Sequence, residues 1–100
     1  MKLRWLTAAL ADLRAIKDYI SEENPAAAQR VIENIRIETG ILIKQPNIGR
    51  AGRIADTREL VIHQHPYIVA YLEHGDEVHI LAVVHTSRQW PEQLTKSKKS

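Results

Sequence analysis

The chain contains no cysteine and no phenylalanine. Without cysteine there is no disulfide framework and no thiolate chemistry, which fits a reducing compartment. No segment approaches the ~20 apolar residues of a membrane span. The start, MKLRWLTAALADL, imitates a signal peptide, but Asp12 interrupts the apolar run and no cleavage pattern follows. A cytoplasmic protein is expected. There is little excess charge either. The formal net charge is +2, and Lys96, Lys98 and Lys99 in the final stretch supply part of it. The body is near neutral, so no strong global field for nucleic acid is indicated and any anion site must be local. Metal-binding signatures are missing too. His63 and His65 are accompanied by no cysteine and no helical HExxH, so neither metal nor cofactor is expected.

What is present is an ordinary globular composition, 44% hydrophobic and 26% charged, which at 100 residues predicts one domain with a small core. That domain is expected over residues 1–91, followed by a polar basic tail, EQLTKSKKS, over 92–100.

KLRWL (2–6) alternates and predicts a strand. Thr7 is placed to cap a helix. Ala9, Leu10, Leu13, Ile16 and Ile20 then fall on one helical face. Asn24-Pro25 restarts a helix, because asparagine caps well and proline tolerates the first helical position. The second helix is expected from Pro25 to about Lys44, with Ala28, Val31, Ile32, Ile35, Thr39 and Leu42 on its core face and Pro46 as its stop. So short a link predicts an antiparallel helix hairpin. A glycine-rich loop over 46–56 carries Arg50 and Arg53. Three strands are expected after it, near 58–63, 67–73 and 77–85, with HQHP and HGDE as turns. The runs IVAYL and VHILAVV are apolar on both faces, as interior strands are. The fold class expected is α+β: two layers, an N-terminal strand, and the helix hairpin packed on an antiparallel sheet, in the order β-α-α-β-β-β.

Several side chains are candidates for function. Arg50, Arg53, Arg58 and Arg88 come from loops and strand ends, where functional groups gather on a rigid sheet. The bland alternative pairs Arg58 with Asp56 or Glu59 and leaves the others solvated. RNA cleavage through the 2′-hydroxyl needs a base, an acid and phosphate-holding cations. His85 and Glu59 supply candidates for the first two, and Arg58 and Arg88 for the last. Tyr67 and Tyr71 share strand parity and are expected in the core with their hydroxyls at its edge. Trp90 is a candidate lid over the sheet edge or a stacking platform. Ile37 and Ile41 lie one turn apart on the outer side of the second helix, either as scattered surface residues or as a partner-binding strip.

Taken in order, WLTAALADLRAIKDYISEENPAAA, GRAGRIADTRELVIHQHPYIVAYL and the terminal HTSRQWP resemble the RelE/ParE superfamily of bacterial type II toxin–antitoxin toxins, over roughly residues 2–91. The resemblance implies a helix hairpin on an antiparallel sheet. It implies a toxin held inactive by a small antitoxin in a hetero-oligomer, with Ile37 and Ile41 in the antitoxin's seat. Two activities occur in the superfamily: ParE-like inhibition of DNA gyrase, without nuclease activity, and RelE-like cleavage of mRNA on the ribosome. The arrangement TREL…PYIVAY…H..R.WP looks closer to the ParE-like side. The arginine loop has no lysine, and Gln89 and Trp90 stand where RelE-like enzymes often carry a tyrosine. On this side Arg50, Arg53, Arg58, His85, Arg88 and Trp90 form a target-binding surface and not a catalytic site. On the other side His85, with Arg58, Arg88 and Glu59, would cut mRNA. A member that only binds its antitoxin is the third possibility.

Overall fold

The computed structural model describes residues 1–87, and Arg88, Trp90 and the 92–100 tail lie outside the described residues. Strand β1 (Lys2–Trp5) turns Leu3 and Trp5 inward and leaves Lys2 and Arg4 exposed. Helix α1 (Thr7–Ser21) follows at once. Its cap is Leu6, in extended backbone and without a side-chain hydrogen bond. The expected Thr7 cap is therefore corrected: Thr7 is already helical, and its hydroxyl sits one residue too late to reach the free N–H groups.

Ala9 and Leu13 are buried, with Ile16 and Ile20 packed against the core. Leu10 departs from the expected face and is 46% exposed. It lies about 60° round the helix from Leu13, at the margin of the stripe. Helix α2 (Pro25–Gly40) starts as its sequence predicts, with the Asn24 side chain accepting the Ala27 N–H at 3.0 Å. Ala28, Val31, Ile35 and Thr39 are buried along it. The Thr39 hydroxyl satisfies itself by donating to the Ile35 carbonyl at 2.7 Å. The helix does not run regularly to Lys44. It tightens into a 3₁₀ turn, Ile41–Ile43, which brings Leu42 into the core before Pro46.

Four further strands follow: β2 (Arg50–Ala51), β3 (Thr57–Val61), β4 (Tyr67–His74) and β5 (Glu77–His85). The β2 pair was not expected within the loop. The sheet order is β1-β5-β4-β3-β2. Strands β2 to β5 form an antiparallel meander, as anticipated. The N-terminal strand makes the sheet mixed, because β1 runs parallel to β5 with Trp5 opposite Ile80. The turn between β3 and β4 uses Gln64 at φ 72°, and that between β4 and β5 uses Gly75 at φ 62°.

A bulge interrupts β5. Pairing slips from Ala70–Ala82 to Tyr71–Ile80 and leaves Leu81 over. Ile80 and Val83 thus both face the helices despite their odd spacing, which explains why the run read as apolar on both faces. The core under the helix hairpin centres on Ile35, Leu42, Val69, Tyr71, Val78 and Ile80, all fully buried. A smaller cluster of Ala70, Ala82 and Val84 lies on the other sheet face. Among the described residues, no helix is long and apolar enough to cross a membrane.

β1 covers β5 only from Glu77 to Ile80. Beyond that point no strand lies on this side of β5 among the described residues. The exposed edge is answered by α1, whose Asp12 carboxylate accepts the Val83 N–H at 2.9 Å.

Candidate functional site

The arginines and His85 occupy two separate places. The first is the corner where the 46–53 loop meets β3. Here the buried Tyr71 hydroxyl donates to the Pro46 carbonyl at 2.7 Å and accepts the Gly49 N–H at 2.9 Å. Burial raises the Tyr71 phenol above its ordinary range, against the pull of the Gly49 N–H and Arg58, so the donor proton stays in place. Gly49 passes so close that a Cβ there would meet the Tyr71 hydroxyl at 2.5 Å and the Glu59 carbonyl at 3.0 Å. Only glycine fits that approach.

Arg58 does not pair with Asp56 or Glu59. Its guanidinium donates to the carbonyls of Gly49 (2.9 Å) and Asn47 (3.3 Å), stapling the loop. Glu59, expected as a candidate acid or base, is buried on the other sheet face. One oxygen accepts Arg50 Nε and Nη2 at 3.2 and 3.1 Å, and the other accepts the Arg53 N–H at 3.4 Å. It therefore orders the loop that bears both arginines. Arg50 and Arg53 themselves are exposed.

The second place is the end of β5. His85 stands opposite Tyr67, its ring edge-on to the phenol with centroids 5.4 Å apart. His85 Nδ1 accepts the Ser87 N–H at 3.0 Å and lies 2.8 Å from the Ser87 hydroxyl. A backbone N–H can only donate, so the neutral ring is assigned its proton on Nε2.

Arg58 pairs with Tyr71 and His85 with Tyr67, four residues along β4 and two strands across. Strand spacings put the two Cα atoms about 16 Å apart. Of the expected set, the structure gathers Arg50, Arg53, Arg58 and Glu59 and sets His85 apart. Ile37 and Ile41 are 63% and 43% exposed on the outer side of α2 and its 3₁₀ extension, and Ile43 and Ile48 are exposed as well. His63 is a turn tie, its ring 2.8 Å from Glu38 and its N–H donating to the same carboxylate. Among the described residues no three His, Asp or Glu side chains are grouped to hold a metal ion.

Sequence reasoning overlooked a cleft of about 570 Å³ between α1 and the end of β5, lined by Asp12, Ile16, Tyr19, Tyr67, Val83 and His85 among others. The available signal was Asp12, an acid set into an apolar run. Burial lifts the Asp12 carboxyl above the ordinary carboxylate range, and the Val83 N–H pulls it partly back. A carboxyl whose pKa is higher folded than unfolded stabilises the fold fully below the unfolded pKa. That contribution is lost as pH rises through the folded value. Asp12→Asn keeps an oxygen for the Val83 N–H and removes the charge. It is expected to melt at or above the wild-type temperature at neutral pH, with the gap closing as pH falls to about 4. Thermal melts across that range check the sign, and a variant that melts lower at neutral pH would refute it.

Three comparisons bear on this architecture. Residues 3–90 match the family model described as ParE toxin of type II toxin-antitoxin system, parDE. The chain is 43% identical over 93 residues to the putative toxin Y4kP of Sinorhizobium fredii, covering 93% of this chain and 96% of that one. It is 39% identical over 84 residues to toxin RelE2 of Caulobacter vibrioides, covering 84% and 93%. Among solved structures, a chain of the chromosomal ParDE system from P. aeruginosa superposes with a TM-score of 0.74 at 28% identity, covering 85% of this chain and 95% of that one. The intact E. coli RelBE complex matches in fold, with a TM-score of 0.63 at 15% identity over 87% of this chain and 98% of that one. Matched along almost its whole described length in sequence and in fold, the chain belongs to the ParE toxin family of type II toxin–antitoxin systems, within the RelE/ParE superfamily.

Proposed function

We propose that the protein arrests growth in the cytoplasm by binding DNA gyrase and that a cognate antitoxin neutralises it. The observation that carries this reading is the separation of His85 from the arginine corner. Cleavage of RNA needs an acid, a base and phosphate-holding cations around one bond. Here Glu59 is bound to Arg50, Arg58 is engaged with loop carbonyls, and His85 stands about 16 Å from Arg58 by strand spacing. What the corner offers instead is a pinned loop presenting Arg50 and Arg53, which suits recognition of an acidic or phosphate-bearing surface. His85, Arg88 and Trp90 would extend that surface from the end of β5.

The antitoxin would lie along Ile37 and Ile41, an apolar strip suited to an amphipathic segment. Together the two proteins would form a hetero-oligomer.

The test is a supercoiling assay with antitoxin-free protein, run beside cleavage of ribosome-bound mRNA. Expected is loss of supercoiling with accumulation of cleaved DNA and intact mRNA. His85→Ala is expected to weaken inhibition by degrees, not to abolish it. Cut mRNA with untouched gyrase, and complete loss in His85→Ala, would overturn the proposal in favour of a ribosome-dependent endonuclease.

A further inference from the structure

The cleft between α1 and the end of β5 is not used by the proposed target surface, apart from His85 at its rim. Its polar groups are unlike those of the arginine corner. Among the described residues Asp12 is the one carboxylate lining it, with one oxygen on the Val83 N–H. Tyr67 is 8% exposed, and its hydroxyl makes no hydrogen bond among the described residues. A buried phenol ordinarily finds a partner. Burial pushes the Tyr67 phenol up, and Tyr19, 76% exposed, stands close enough to add to that rise. Ile16 and Val83 give apolar wall.

We infer that this cleft seats an arginine side chain carried on an extended segment of the antitoxin. A guanidinium offers five donors in a plane, enough for the open oxygen of Asp12 and the two phenols together. The tyrosine rings favour a cation over their faces. The aliphatic stem packs on Ile16 and Val83. The segment is extended because, among the described residues, no strand runs beside β5 beyond Ile80 on this side, which leaves room for an extended chain alongside it while Asp12 keeps the Val83 N–H. A nucleic acid is the wrong occupant, since among the described lining residues the formal charge is the Asp12 carboxylate, which would repel phosphate. The half-buried Asp12 also explains the need for a partner, because a desolvated carboxylate gains most from an incoming cation.

The source of the arginine rests on the antitoxin reading above, and the seat does not. The seat is tested on the full chain by NMR titration with acetyl-Val-Arg-Val-amide, against the same peptide with citrulline and against adenosine monophosphate. The arginine peptide is expected to shift the Val83 amide and the Tyr19 and Tyr67 rings saturably at millimolar concentration. The citrulline peptide is expected to bind at least about tenfold more weakly. Asp12→Asn, which keeps the bond to Val83, is expected to erase that preference, and Tyr67→Phe to reduce it. The inference is overturned by equal binding of the two peptides, by a preference that survives Asp12→Asn, by saturable adenosine monophosphate shifts at the cleft, or by no saturable shift. The source is tested separately: Asp12→Asn should weaken the co-encoded antitoxin at least about tenfold. An antitoxin unaffected by the change overturns the source while the peptide result stands.

Discussion

Tyr71→Phe is expected to destabilise the protein by about 2–3 kcal/mol, from two lost hydrogen bonds inside the fold. The ring is fully buried, so phenylalanine fills its space and opens no cavity. What disappears is one oxygen with two partners, the Pro46 carbonyl at 2.7 Å and the Gly49 N–H at 2.9 Å. Gly49 is buried, so water does not readily replace the lost acceptor. For a domain of this size the change corresponds to a melting temperature lower by about 10–20 °C. The same oxygen fixes the loop that presents Arg50 and Arg53, so on the proposed function gyrase inhibition should fall by at least about tenfold even where the variant is folded. Thermal unfolding, with the supercoiling assay run well below the transition, separates the two effects. A variant that melts with wild type and inhibits equally would show that the loop is held by other means.

The paired substitution Ile37→Glu with Ile41→Glu should act in the opposite manner. Both residues already face water, at 63% and 43% exposure, and glutamate is a good helix former. Melting should therefore stay within about 0.5 kcal/mol of wild type. If the antitoxin seats there as proposed, its binding should weaken by at least about a hundredfold, because charges placed at the centre of an apolar contact must be desolvated without a partner. Cells carrying the variant with wild-type antitoxin should stop growing, since toxicity would no longer be relieved. Calorimetric titration with the co-encoded antitoxin measures the first effect. An unchanged dissociation constant would remove Ile37 and Ile41 from the interface.

Much of the fold was readable because its signals are local. Asn24-Pro25 fixes a helix start through one side-chain oxygen and one missing N–H, and the structure shows that oxygen bonded. The alternation of Leu60 and Ile62 against Val61 likewise gives a face directly, with the first two buried and the last exposed. The errors lie where a distant element decides. Leu10 has the spacing of a core residue but falls at the stripe's margin. Glu59 has the chemistry of a surface acid but is buried under a loop that the sequence showed only as glycine-rich. The parallel pairing of β1 with β5 joins the two ends of the domain, and no local pattern encodes it. The site was harder still. Arg50, Arg53 and Arg58 were chosen by residue type, and only the fold separates Arg58, turned to carbonyls, from the two that face solvent. Asp12 and Tyr67 gained meaning only once β5 outran β1.

The parallel pairing has a consequence for how the molecule comes into being. Strand β1 is among the first segments made, and β5, its one strand neighbour among the described residues, is the last strand of the described fold. At ordinary rates of synthesis, the 75 residues from Leu6 to Ile80 take about 4–15 s to add. During that interval the helix hairpin has been made but carries its apolar face without the central strands β4 and β5 to cover it. The arginine corner is equally unfinished, because Tyr71 must be in place before Gly49 and Pro46 can be pinned. A nascent chain of this topology therefore cannot complete its sheet or its arginine corner until β4 and β5 have emerged, whereas α2, with its outer surface, emerges before them. With the antitoxin seated on α2 as proposed, chain order itself would give neutralisation a head start over toxicity.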